Sequence, residues 1–291
     1  MRSNSFFKKL FICLTLLLIL PVIIINTVSI YEVLKNAQKE IGNNSIGKLK
    51  VAENTLEQLQ DSVLKDSVKL SVNTTINKLN DFHGKIDLTN GNNIVMVSRI
   101  LDVLSESVKI NENYESVYLY LNDFDYTFTS DNDLIKRDSV KDTGWLKYYN
   151  EYKDKKIPLS MIRTRIPRND SKDNKASTLI NNVITYIYPL TPYTTTLNGA
   201  LVINIKEDVV NSMINSNNAN TEGYIFITNN NGDVISHNNI KMLDKNISEE
   251  SYIKKILNNK SSQGYLISTI NLLYLTINLI LIVGYLLGYF L

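Results

Sequence analysis

The sequence predicts an α+β protein: a long N-terminal helix, then two antiparallel-sheet lobes of unequal size, flanked by two transmembrane helices. Three observations predict it. Apolar runs stand at both ends of the 291 residues, Leu10 to Ile30 and about Tyr265 to Leu291. Apolar residues at helical spacing follow the first run as far as about Phe82. Beyond them, short β-rich segments alternate with turn residues and small helices.

The first run reads as a membrane anchor rather than a cleaved leader. A secretory core is about 7–15 residues and ends at a small-residue cleavage site. Leu10–Ile30 instead matches the ~20 residues needed to cross the hydrocarbon core, and Tyr31, Glu32 and Val33 follow it directly. Pro21 is tolerable inside such a helix. Arg2, Lys8 and Lys9 mark residues 1–9 as cytoplasmic, so the chain beyond transmembrane helix 1 (10–30) is exported. The last charge is Lys260, and 268–291 reads as transmembrane helix 2, its direction set only by being the second crossing. The expected location is a bacterial cell membrane, two-pass, with the middle outside.

Composition agrees. Lys and Arg number 31 against 29 Asp and Glu, too balanced for a nucleic-acid surface. The single cysteine, Cys13, lies in the first span, which leaves the exported part without disulfides or thiolate ligands. Asn-x-Ser/Thr triplets at Asn73, Asn169 and Asn246 are expected by chance in a chain so rich in Asn, and the Asn, Ile and Lys bias fits an AT-rich genome.

From Ile30 the apolar positions Leu34, Ala37, Ile41, Leu49, Leu56, Leu59, Val63, Leu70, Ile76 and Leu79 recur at helical spacing, so 31–82 is a stalk helix that Gly42-Asn43-Asn44 could break. It serves as the back of a domain, as a dimer seam, or as both. A second helix covers Asn93–Lys109, with Val95, Ile100, Leu101, Leu104 and Val108 on one face. Ser116–Leu121 and Tyr126–Thr129 form a hairpin about Asn122-Asp123. A short helix at Asp142–Tyr149 carries the only tryptophan, and strands follow at 159–164 and 182–189. Gly199–Ile205 runs into an acidic-capped helix, Glu207–Ile214. After a polar linker, Gly223–Thr228 and Asp233–Ser236 make a second hairpin, and Glu249–Leu257 a last helix.

These segments resemble the double-Cache extracellular sensor domains of bacterial transmembrane receptors, two PAS-like lobes on one long helix. SVYLY (116–120), DTGWLKYY (142–149), GALVINIKED (199–208) and YIFITNNNGDVISHNN (224–239) carry the resemblance over most of 31–264. It implies a membrane-distal lobe at 83–215, a partial membrane-proximal lobe at 216–264, and relatives that end in a histidine kinase or an AraC-type DNA-binding regulator, with methyl-accepting chemoreceptors more distant. It also implies a small-molecule ligand in the distal lobe. The amino-acid-binding subgroup carries Arg-x-Trp-Tyr/Phe on the helix after the first hairpin. This chain keeps Trp145 but has Thr143 and Leu146 at the flanking positions, which removes the bidentate carboxylate clamp. In the resemblance a further strand pair follows Gly264. Here an apolar tail follows instead, so the second lobe is expected to be incomplete and the chain truncated or frame-shifted, without its effector.

A pocket in the distal lobe needs aromatic walls and a few polar groups. Tyr118, Tyr126, Trp145, Tyr149, Arg163 and Tyr186 are the candidates, although a lone Trp beside a hairpin also packs as plain core. His237 suits a turn after the second hairpin, and His83 stands among loop residues. No metal site or cofactor is expected: the two histidines are far apart, and Asp123, Asp125 and Asp131 lack the calcium-loop pattern. No nucleophile motif or phosphate loop occurs, so no enzyme is expected. Two functions stand: the sensor half of a signalling receptor, homodimeric through the long helix and the spans, or a stand-alone membrane-anchored binding protein.

Overall fold

The computed structural model describes residues 3–82, 85–131, 133–140, 143–152, 160–168, 179–190, 197–216, 223–229, 231–257, 263–267, 273–279 and 284–290. Its first element, α1 (Ser3–Ser71), is one helix of 69 residues, roughly 100 Å long at 1.5 Å per residue. Neither Pro21 nor Gly42-Asn43-Asn44 interrupts it. It stops at Ser71, short of the expected Phe82, because Asn73 nucleates a new turn. The Asn73 Oδ1 accepts the N–H groups of Thr75 (2.8 Å) and Ile76 (3.3 Å), and such a cap starts α2 (Thr74–Asn77). A 3₁₀ turn, Lys78–Phe82, follows.

Helix α3 (Gly91–Ile110) is capped by Asn90 and buries Val97, Ile100, Leu101 and Leu104. Val95, expected on that face, is exposed. The buried face starts two residues later, at Val97.

Two antiparallel sheets follow. The distal one contains β1 (Tyr114–Leu121), β2 (Tyr126–Thr129), β3 (Leu134–Lys136), β4 (Ser160–Arg168), β5 (Leu179–Leu190) and β6 (Gly199–Lys206), in the order β3-β2-β1-β6-β5-β4. Helix α4 (Gly144–Tyr152) lies between β3 and β4 in sequence. Helix α5 (Glu207–Asn215) leads out of β6. The proximal sheet contains β7 (Gly223–Asn229), β8 (Val234–Ser236), β9 (Gln263–Ile267), β10 (Leu273–Leu279) and β11 (Gly284–Phe290), in the order β8-β7-β11-β10-β9. Helix α6 (Ser251–Leu257) precedes β9.

The fold class is therefore the α+β arrangement read from the sequence, with one correction. The segment expected to be transmembrane helix 2 forms β10 and β11, paired from Leu273↔Phe290 to Leu279↔Gly284, and β11 pairs with β7 along its length. The proximal sheet is five-stranded, not the incomplete lobe expected. The physical reason lies in the period: Leu273, Leu275, Ile277 and Leu279 alternate with Tyr274, Thr276 and Asn278, the two-residue repeat of a strand. Among the described residues, α1 alone is long and apolar enough to cross a membrane.

One core joins the lobes. Leu49, Leu56 and Val63 of α1, Ile100 and Leu104 of α3, Val117 and Leu119 of β1, and Ile225 and Ile227 of β7 belong to a single buried cluster. The Tyr114 hydroxyl donates to Asp66 Oδ2 (2.6 Å) and pins β1 to α1. Burial, and then the Asp66 carboxylate, hold that phenol well above its usual range.

Candidate functional site: an aromatic cluster on the outer face of the distal sheet

Strand alternation gives the distal sheet two different faces. Val117, Leu119 and Leu121 of β1, Ile184 and Tyr186 of β5, and Leu201 and Ile203 of β6 join the main core under α1 and α3. Tyr118 and Tyr120, Ile187, and Ala200 and Val202 face the other way. There they meet Trp145 and Tyr149 of α4 in a separate buried cluster. Trp145 and Tyr149 are one turn apart on α4, so both rings point down onto the sheet.

Tyr120 is the centre. Its ring stands edge-on to Trp145 (centroids 5.3 Å, 77°) and to Tyr149 (5.7 Å, 76°), the arrangement aromatic quadrupoles favour. The Arg137 guanidinium lies over the same ring, 5.1 Å from its centroid. Arg137 Nη2 donates to the carbonyls of Leu121 (2.6 Å), Asn122 (2.7 Å) and Phe124. One cation thus closes the β1–β2 turn and braces the cluster. Its Nε is buried and, among the described residues, has no hydrogen-bond partner. At the rim, Asn122 Nδ2 donates to the Tyr149 hydroxyl (3.0 Å) and to Asn198 Oδ1 (2.9 Å). The backbone of β6 comes unusually close here: a Cβ on Gly199 would be driven into the Tyr120 carbonyl oxygen.

The structure brings together Tyr118, Trp145 and Tyr149 of the sequence candidates. Tyr126 is half-buried at the start of β2, outside the cluster. Tyr186 lies on the core face of the sheet, its hydroxyl buried with no hydrogen-bond partner among the described residues and its pKa raised by that burial. The Arg163 side chain and all of His83 lie outside the described residues; the Arg163 backbone pairs with Ile184. Sequence reasoning missed Tyr120 and Arg137. Tyr120 was available from the two-residue spacing in Ser-Val-Tyr-Leu-Tyr. Arg137 carried no local signal, since its acceptors lie 13–16 residues away.

His237 sits in the proximal lobe between the rings of Tyr224 (4.8 Å) and Phe226 (5.2 Å). Its Nδ1 accepts the Asn239 N–H (2.8 Å), and burial lowers its pKa, so the neutral ring with a proton on Nε2 is the form that fits. Among the described residues no cluster of three or more His, Cys, Asp or Glu could hold a metal.

No family model and no curated protein matches the sequence. Solved structures do match the fold. The sensory domain of the Campylobacter jejuni chemoreceptor Tlp3 with isoleucine bound aligns at a TM-score of 0.57 and 16% identity, over 88% of this chain and 94% of that one. The extracellular domain of the putative histidine kinase vpHK1S-Z8 aligns at 0.58 and 13%, over 88% and 92%. The ligand-binding domain of the Pseudomonas aeruginosa amino acid chemoreceptor PctC, in complex with GABA, aligns at 0.53 and 14%, over 88% and 98%. The chain therefore has the fold of the two-lobed, Cache/PAS-like sensory domains of bacterial receptors.

Proposed function

We propose that the chain is the extracytoplasmic sensor of a transmembrane signalling receptor, and that the cluster of Tyr118, Tyr120, Trp145 and Tyr149 is where a small organic molecule binds. The observation that carries this reading is the aromatic cluster itself. It is a second apolar centre, separated from the structural core by the sheet, and polar groups of Asn122, Asn198 and Arg137 stand at its edge. Aromatic walls with a few placed polar groups are the usual make-up of a small-ligand site. The fold relatives named above include domains solved with isoleucine and with GABA. Here an exposed Thr143, just before α4, stands where the amino-acid-binding subgroup has its arginine, so that subgroup's arginine clamp is missing.

The apolar start of α1 anchors the sensor, with Arg2, Lys8 and Lys9 on the cytoplasmic side. A ligand-driven shift of the lobes passes down α1 to a histidine kinase or AraC-type output. Ile30, Leu34 and Ile41 are exposed on α1 at helical spacing; they form a seam for a second copy of the chain. Leu34→Cys in a Cys13→Ser background tests the seam: a disulfide-linked dimer in membranes supports it, and monomer under oxidation removes it.

Thermal shifts of the full chain in detergent, against a panel of amino acids, amines and small organic acids, test the ligand site. A dose-dependent rise with at least one compound, lost in Tyr149→Ala, is expected. No rise with any of them overturns the assignment.

A further inference from the structure

We infer that α5 is the mechanical joint between the lobes, and that Glu207, Asn211 and Asn215 are the positioning residues that hand the state of the distal cluster to the β7–β8 hairpin. In its signalling sense this rests on the sensor reading above.

The geometry begins in β6. This strand pairs with both β1 and β5, and its Ala200 and Val202 form part of the aromatic cluster. It passes into α5 without an intervening residue: Lys206 ends the strand and Glu207 starts the helix. Any shift of β6 beneath Trp145 is therefore a shift of the N-terminus of α5.

Helix α5 has two working faces. Val210 and Ile214 are sunk in the common core. Glu207, Asn211 and Asn215 recur every four residues on another stripe, and all three hydrogen-bond to the proximal hairpin. The Asn215 amide reproduces a strand rung on β7: its Oδ1 accepts the Ile225 N–H (2.7 Å) and its Nδ2 donates to the Ile225 carbonyl (3.0 Å). Asn211 Nδ2 donates to Ser236 Oγ (3.4 Å). Glu207 Oε1 accepts the Ser236 hydroxyl (2.6 Å) and the His237 N–H (3.1 Å). Glu207, Ser236 and His237 are all buried.

Two features make this a transmitter and not simply a fastening. The helix is gripped at both ends of the stripe, by β8 near Glu207 and by β7 near Asn215, so translation or rotation of α5 must move the hairpin with it. The contacts are short side chains with paired donors and acceptors, and a buried polar group left unpaired is costly; the joint has little slack. The hydrophobic contacts of Val210 and Ile214 are not directional; the paired hydrogen bonds add the directional grip.

A double-mutant cycle in the full chain tests the joint without a ligand. Val202→Ala disturbs the cluster end of β6, and Glu207→Gln with Asn215→Ala loosens the joint. The readout is amide hydrogen exchange in Ile225–Ser236. Val202→Ala is expected to speed that exchange about fivefold when the joint is intact and to have almost no effect when it is loosened. A structural role alone gives the same factor in both backgrounds, and that additivity overturns the inference. If the doubly loosened protein does not fold, Asn211→Ala enters the same cycle; a reduced response supports the joint and an unchanged one removes it. The two readings fail separately. A ligand found with an additive cycle keeps the sensor and removes the joint. A coupled cycle with no ligand keeps the joint and removes the sensor site.

Discussion

The two lobes repeat one construction and finish it differently. In each, a hairpin supplies an aromatic pair on the sheet face turned away from α1, and a short helix covers it. In the distal lobe these are Tyr118 and Tyr120 under α4; in the proximal lobe they are Tyr224 and Phe226, packed with Tyr252 and Ile253 of α6. The distal cluster is edged by Asn122, Asn198 and the Arg137 cation. The proximal one is filled by Val234, Leu243 and Ile247 and holds His237 between its rings. Its hairpin is tied to α5. The same scaffold thus offers one face suited to recognition and one suited to receiving a displacement.

Glycine substitutions break the comparison most sharply, one lobe at a time. Gly199→Ala forces a methyl group into the Tyr120 carbonyl, and backbone cannot yield as a side-chain tip can. A loss of about 3 kcal/mol is expected, seen as early unfolding by Trp145 fluorescence. Gly232 is the proximal counterpart. Its φ is +82°, and an added Cβ would lie 2.8 Å from the Ser248 nitrogen. Gly232→Ala is expected to cost about 2 kcal/mol, read by faster exchange of the β7–β8 amides while Trp145 emission holds.

Smaller changes sharpen the contrast. Tyr149→Phe keeps the ring and removes the hydroxyl bonded to Asn122. About 1 kcal/mol of stability should go with it, measurable by denaturant midpoint. The smallest effect is a pH dependence confined to the proximal lobe. Burial lowers the His237 pKa from its ordinary value of about 6.5, so the unfolded chain binds the extra proton first. The His237 contribution is fully present above about pH 6.5 and is lost as pH falls through the folded value. Proximal exchange should therefore quicken on acidification, and His237→Gln should flatten that response. An unchanged slope in the variant removes His237 as its source.

Much of the fold was legible because local chemistry agreed with it. Asn122-Asp123 between two β-rich segments, Asn231-Gly232 in the second hairpin, and Glu207-Asp208 opening α5 each name their structure directly. The C-terminal strands were misread because continuous apolarity outweighed a two-residue alternation that was present at 273–279; such runs fit a buried strand as well as a helix. The candidate site was half legible. Tyr118, Trp145 and Tyr149 follow from composition and spacing. Tyr186 was named with them, but aromatic content says nothing about which face of β5 a residue occupies; it faces the core, and Ile187 next to it is the one in the cluster. Arg137 depends on three carbonyls that only the folded turn brings together.

Trp145 is the chain's single tryptophan and lies fully buried in the proposed site. Its emission, followed in the full-length protein during titration with any compound that raises the melting temperature, tests the central claim most directly. A saturable change in intensity or wavelength, with a midpoint weakened at least about tenfold by Tyr120→Ala, is the result expected. Stabilisation with no change in Trp145 emission, or the same midpoint in Tyr120→Ala, would place binding elsewhere and contradict the account.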